Sequence, residues 1–298
     1  MEYRQLGKSA LQVSRIGFGA MSLKGDAILN KQLIEHALDF GINYFDTADL
    51  YDKGENEKFI GDALNNRRKN VIIATKVGNV WREDGNGWDW NPRKQYILSA
   101  VERSLQRLGT DYIDLYQLHG GTIQDDIDES IEAFELLVQQ GKIRYYGISS
   151  IRPNVIREYV KRSNIVSVMM QYSLLDRRPE EECLQLLHDN HIGVLSRGSL
   201  AKGLLGGKPS TSYLDYSTEQ VHEMALAVKS ISGKARTPAQ TAIHFILANP
   251  AITSVVTGIR TKDQLEEIAA APERQLLTEQ ELETLSLVIP ANLYDSHR

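Results

Sequence analysis

A closed (β/α)8 barrel is the fold this sequence predicts, on three observations. Eight short β-branched runs recur along the chain, helix-spaced segments lie between them, and no Pro- or Gly-rich linker divides the 298 residues. The length and the 42% hydrophobic content suit one large core, and eight units fit it better than two open sheets.

The opening YRQLGKSALQVSRIG (3–17) reads as a β-hairpin turning at Gly7 to Ser9, a plug for the barrel floor. The strand runs follow as SRIGFGAM (14–21), INYFD (42–46), NVIIATK (70–76), YIDLYQLH (112–119), IRYYGIS (143–149), IVSVMMQ (165–171), IGVLS (192–196) and ITSVVTG (252–258). Helical spacing appears at 30–40, 93–108, 127–140, 153–162, 179–190 and 239–249. Two further helices are extra to the barrel: 217–232, ahead of the seventh barrel helix, and 278–289 near the end. Asn91-Pro92, Arg152-Pro153 and Thr237-Pro238 mark helix starts, and Gly109, Gly141 and Asn190 stand where helices should stop. Cys183 shares an apolar helix face with Leu184, Leu186 and Leu187, so it reads as a small buried hydrophobe, and one cysteine allows no disulfide within the chain.

A formal charge of −5 with interspersed acids and bases leaves no basic stripe for nucleic acid. The N-terminus has no apolar signal region, and no run of eighteen uncharged apolar residues occurs, so the expectation is a cytoplasmic protein with neither membrane nor nucleic-acid partner.

In such barrels chemistry gathers at the C-terminal ends of the strands. The second strand is followed by Asp46 and Tyr51, the third ends in Lys76 and the fourth in His119. Neighbouring strands lie about 4.8 Å apart, so groups ending three consecutive strands can converge. Asp46 supplies the counter-charge a buried Lys76 needs, and an ammonium beside a phenol favours tyrosinate, which makes Tyr51 a usable acid. His119 is placed to hold a substrate oxygen. Side chains provide no hydride, so a cofactor is implied. Taken singly, Asp46 caps a turn, Tyr51 is a surface aromatic and Lys76 a loop charge; the four at adjacent strand ends carry the functional reading.

Two glycine motifs fail as signatures. GFGAMS (17–22) lacks the third glycine of a dinucleotide fingerprint, and GLLGGKP (203–209) is one residue short of a phosphate loop, with proline after Lys208. A glycine loop after the seventh strand still suits a pyrophosphate through backbone amides.

GINYFDTADLY, IATKVG, SLQRLGTDYIDLYQLH, GKIRYYGIS and SLAKGLLGGK, in this order, resemble the aldo-keto reductase superfamily across nearly the whole chain, with residues 1–298 as one barrel domain. The resemblance implies an NADPH-dependent reductase of aldehydes or ketones, in which Asp46, Tyr51, Lys76 and His119 are the catalytic four and Tyr51 is the general acid. It further implies that Ser149, Ser150 and Gln171 hold the carboxamide and that the stretch from Ser199 to Gly207, with Leu200, Lys202 and Gly203, clasps the pyrophosphate. Gly258, Arg260 and Gln264 would form the adenosine-phosphate site, with Lys262 beside them. Three positions depart from the family pattern: Ser150 stands where asparagine is frequent, Arg197 where an aromatic often faces the nicotinamide, and Ile268 where asparagine often meets the adenine. A guanidinium plane also stacks on a ring, which makes Arg197 a cofactor contact.

Two other functions bear weighing. Some members of the superfamily are similar to an NADPH-binding, redox-sensing regulatory subunit with little turnover. A metal-dependent hydrolase using Asp46, Asp49 and His119 lacks the clustered ligands a divalent site needs, so no metal is expected. The substrate is unread beyond a small carbonyl compound. Trp81, Trp88 and Trp90 crowd the long glycine-containing loop 79–92, where they either line an apolar pocket, Trp81 and Trp88 foremost, or pack the loop onto the rim. Nothing in the sequence fixes the oligomeric state.

Overall fold

In the computed structural model, whose described residues are 1–23 and 25–298, β1 (Tyr3–Gln5) and β2 (Gln12–Ser14) form an antiparallel hairpin. The chain continues through β3 (Ile16–Gly19), α1 (Ala27–Asp39), β4 (Tyr44–Asp46), α2 (Glu55–Leu64) and β5 (Ile72–Val77). A second hairpin of β6 (Asn79–Trp81) and β7 (Trp88–Trp90) precedes α3 (Lys94–Leu108), β8 (Ile113–Leu118), α4 (Ile127–Gln139), β9 (Ile143–Ser149) and α5 (Pro153–Arg162). The last third holds β10 (Ser167–Gln171), α6 (Cys183–Asp189), β11 (Gly193–Arg197), α7 (Thr218–Ser232), α8 (Pro238–Ala248), β12 (Ile252–Gly258), α9 (Lys262–Ala269) and α10 (Glu279–Leu287).

Eight parallel strands close the barrel in the order β3, β4, β5, β8, β9, β10, β11, β12, and β12 pairs back to β3 through Val255 opposite Ile16. All eight are the strand runs read from the sequence, and α7 and α10 are the two extra helices. Helices cover the outside, so most strand residues are buried on both faces, as parallel strands require.

The first hairpin stoppers the N-terminal end. Its Leu6, Leu11 and Val13 pack against Tyr44, Ile72, Ala74, Leu115, Met169, Leu195 and Val256 inside the barrel. Gly7 makes this possible: its φ is +53°, and a Cβ there would stand 2.2 Å from the Val166 carbonyl oxygen. Arg15 then clamps the plug, donating from buried Nη1 and Nη2 to the carbonyls of Ile252, Thr253 and Leu247 at 2.6 to 3.0 Å.

Helix ends follow local chemistry. Thr237 forms a capping box with Gln240, Pro153 opens α5, and Gly109 ends α3 in the left-handed region. Asn190 ends α6 differently, with φ −92° and its Nδ2 donating to the Leu186 carbonyl at 2.8 Å. The stretch 179–190 is not one helix: it divides into a 3-10 turn, Arg178–Glu181, and α6, because Glu182 between them has φ −155°. The segment expected as a loop at 79–92 is instead the β6–β7 hairpin, with Trp81 opposite Trp88. α2, which the apolar spacing does not reveal, buries Asn56 and Glu57 on its inner face beside Ile60 and Leu64.

Candidate active site

Asp46 closes β4, and Lys76 and Gln117 stand opposite each other on β5 and β8. These strands bring their polar residues into the barrel mouth above the hydrophobic plug. Beyond Asp46 the chain must turn into α2 without leaving the rim. Thr47 Oγ1 donates to Asn56 Oδ1 at 2.7 Å, and Asn56 Nδ2 ties the turn to the Ala20 carbonyl at 2.7 Å. The 3-10 turn Tyr51–Gly54 carries Asp52 and Lys53 at φ 49° and 53°, two non-glycine residues in the left-handed region. Such strain persists where packing over-determines it, and here Arg107 lies against Gly54 while pairing with the buried Glu57 at 2.6 Å. The result holds Tyr51 at the mouth.

Lys76 is 1% exposed, and its ammonium bonds to Asp46 Oδ1, to the Thr47 carbonyl at 2.7 Å and to the Tyr51 hydroxyl at 3.4 Å. Burial alone would drive this ammonium down; the Asp46 carboxylate and the Tyr51 phenol outweigh it and hold Lys76 above a lysine's ordinary value. Burial likewise pushes the Asp46 carboxyl up, and Lys76, Gln117 and Tyr44 pull against it. His119 meets Tyr51 edge-on, ring centroids 5.7 Å apart. Burial, then the charges of Lys76 and Arg197, push His119 down to about 3, so its imidazole is neutral at ordinary pH. The four residues read from the strand ends therefore stand together. Asp46 is consumed by Lys76 and Gln117, and among the described residues no group of three His, Cys, Asp or Glu is placed to hold a metal.

The strand ends next round the barrel carry the residues expected at a cofactor. Ser149 ends β9, and Ser150 is buried behind it, its Oγ accepting from the Arg152 amide at 3.2 Å. Gln171 ends β10: Oε1 accepts from Arg197 Nη1 at 2.9 Å, while Nε2 donates to Asp176 at 2.8 Å and to the Tyr213 hydroxyl at 3.2 Å. Both amide hydrogens of Gln171 are spent, so it has only acceptor capacity to offer a ligand. Past β11, Ser199 is buried against Ser196, at 3.1 Å, and Leu200 leads into a left-handed run of Ala201 (φ 45°), Lys202 (58°) and Gly203 (96°). Lys208 lies across this run, its stem filling the place of a Gly203 Cβ and its Nζ donating to the Lys202 carbonyl at 3.0 Å. Gly258 ends β12, where a Cβ on Gly19 opposite would meet the Thr257 carbonyl at 3.0 Å. Arg260 and Gln264 are exposed at the start of α9, with Gln264 Oε1 accepting from the Arg260 amide at 3.1 Å, and Lys262 is held loosely by Glu266 at 3.7 Å. Ile268 is buried in the hydrophobic core.

The family model described as the aldo/keto reductase family matches residues 15–289. The chain belongs to the aldo/keto reductase family. This reductase is 50% identical over 307 residues to the uncharacterized oxidoreductase YqkF of Bacillus subtilis (strain 168), covering all of both chains. It is similar to the solved aldo-keto reductase AKR11C1 from Bacillus halodurans in its holo form, with TM-score 0.95 and 48% identity over 100% of this chain and 99% of that one. A more distant relative is the NADH-specific methylglyoxal reductase of Escherichia coli (strain K12), 30% identical over 89% of this chain and 92% of the relative. The reductase is thus an oxidoreductase of carbonyl chemistry on a (β/α)8 barrel, and among its described residues no helix is long and apolar enough to cross a membrane.

The tryptophans divide. Trp90 donates to Asp125 at 3.0 Å and packs over Gly78 and Gly120, Trp81 donates to the Leu50 carbonyl at 2.9 Å beside the Tyr51 turn, and Trp88 is 51% exposed, edge-on to Trp81. Four residues of the site escaped the sequence reading: Tyr44 and Gln117 beneath Asp46, Lys208 over the glycine loop, and Tyr213 on Gln171. Gln117 stands near the end of β8, two residues before His119, which follows the strand, and that nearness was the one signal available.

Proposed function

We propose that the reductase uses NADPH to reduce the carbonyl group of an aldehyde or ketone, with Tyr51 as the general acid. The observation that carries this reading is the unbroken hydrogen-bonded series from Asp46 through Lys76 to Tyr51 at the barrel mouth. The Lys76 ammonium stabilises the charge that develops on the phenol oxygen as it gives its proton to the substrate oxygen. His119, neutral and beside Tyr51, serves as a hydrogen-bond partner for that oxygen rather than as a second acid.

The residues fit a nicotinamide dinucleotide. Left-handed backbone at 201–203 with Lys208 above it suits a pyrophosphate, and the spare acceptor of Gln171 suits a carboxamide N–H. Arg197, fixed by Gln171, presents a planar cation to the same space. Arg260 and Lys262 at the start of α9 favour a 2′-phosphate, and with it NADPH over NADH. When bound, the cofactor supplies the hydride.

Tyr51→Phe removes the proton and little else. Turnover of an aldehyde panel should fall by about a hundredfold or more, with NADPH affinity near that of the parent by fluorescence titration. Full activity in this variant would end the assignment.

A further inference from the structure

Gln117 lies wholly buried inside the barrel, on β8 and level with Lys76. Its Nε2 donates to Asp46 Oδ2 at 3.1 Å, whereas its Oε1 is buried with no partner. An ionised carboxylate only accepts, so the amide must turn its nitrogen to Asp46 and leave its oxygen orphaned. A buried carbonyl oxygen without a partner is a burden on the fold that an apolar side chain of similar size would not carry. The position is therefore explained by what the nitrogen does.

Asp46 uses Oδ1 for Lys76 and Oδ2 for Gln117, with the Tyr44 hydroxyl a weaker third partner at 3.5 Å. Held at both oxygens, the carboxylate cannot rotate about its terminal torsion. Lys76 has three ammonium hydrogens and three acceptors, Asp46, the Thr47 carbonyl and Tyr51, so its direction toward the phenol depends on the other two staying in place.

We propose that Gln117 is a positioning residue for the reaction: by fixing the rotation of the Asp46 carboxylate it fixes Lys76, and through Lys76 the phenol of Tyr51. This rests on Tyr51 as the proton donor. The groups that face Asp46 are Tyr44 from β4, Lys76 from β5 and Gln117 from β8, with the Tyr51 phenol beyond Lys76. Gln117 is uncharged, so its removal perturbs Asp46 without adding or deleting a titrating group. Burial already pushes the Asp46 carboxyl up and the Gln117 hydrogen bond opposes that, so loss of the amide moves protonation of Asp46 to higher pH.

The test compares Gln117→Leu, Gln117→Glu and Tyr51→Phe by steady-state rates from about pH 5 to 9, by NADPH fluorescence titration and by thermal unfolding. Gln117→Leu should lower kcat by about tenfold or more, in the range that a small misplacement of reacting groups costs, with cofactor affinity unchanged and the acid limb of the profile moved to higher pH. Gln117→Glu, whose protonated acid has the amide's shape and one hydrogen to donate, should recover rate toward acid pH and lose it as pH rises. Parental kcat and an unmoved acid limb in Gln117→Leu, beside an inactive Tyr51→Phe, would overturn the proposal. An active Tyr51→Phe would instead overturn the reading beneath it. Should Gln117→Leu fail to fold, Gln117→Glu decides alone, and a pH profile identical to the parent's counts against positioning.

Discussion

Asp49 is a half-buried carboxyl that holds its charge poorly. Its Oδ1 is buried without a partner, three residues past the aspartate that holds Lys76 and two before Tyr51. Burial, then Glu57 on α2, push its carboxyl up to about 8, and Arg107 and Arg103 on α3 offset this only in part. The folded protein therefore keeps a proton that the unfolded chain releases at ordinary carboxylate pH. Its contribution to stability is fully present below that range, falls as pH rises to about 8, and stays lost above. Asp49→Asn removes the dependence, so it should raise Tm more at pH 9 than at pH 5; equal increments, followed by circular dichroism, would contradict the sign. At this scale the sequence was readable where a polar residue interrupts an apolar run at a strand end, as at Asp46, Lys76 and His119. Gln117 was hidden because β8 is buried on both faces, so alternation does not mark which polar residue points inward.

Hairpin β6–β7 shows what spacing conceals between strands. Its two three-residue strands flank a turn of Arg82 to Gly87, rich in charge and glycine, which reads as loop. α2 was concealed for the opposite reason, since Asn56 and Glu57 occupy its buried face and break the apolar stripe. The tryptophans separate structure from recognition within one hairpin. Trp90 fills space over Gly78, so Trp90→Ala should destabilise by about 2 kcal/mol or more, in line with loss of a large packed aromatic. Trp88, half in solvent, should cost less than about 0.5 kcal/mol on truncation while reordering the preferred aldehydes and ketones. Urea unfolding and a substrate panel measure both halves, and an unchanged ranking assigns Trp88 to the rim alone.

Across the molecule, the proposed cofactor surface draws on the ends of β9, β10, β11 and β12 and on the start of α9, so ligand binding ties half the barrel together. Ligand at about a hundred times its Kd stabilises a fold by about 2.7 kcal/mol, which thermal unfolding reads directly. NADPH should raise Tm more than NADH in the parent. Arg260→Ala should erase that difference by weakening NADPH about ten- to a hundredfold, the worth of a charged hydrogen bond, while leaving the NADH shift unchanged. Equal weakening of both, or of neither, at low and at raised salt would remove Arg260 as the phosphate reader. The barrel itself was legible because every one of its strands is a short β-branched run bounded by polar turns. The Gln171, Arg197 and Tyr213 cluster was not, because Tyr213 reaches Gln171 from 42 residues away, across α6 and β11.

The plug of the barrel floor also sets an order in time. Leu6, Leu11 and Val13 rest on side chains from β4 to β12, and Arg15 grips carbonyls of residues 247, 252 and 253. A ribosome delivers residues 6–15 long before residues 247–256 exist. The hairpin must therefore wait, undocked and with its apolar face bare, until β12 has emerged and the last gap in the cylinder can shut. Residues made well before their partners are among the last to find their seat.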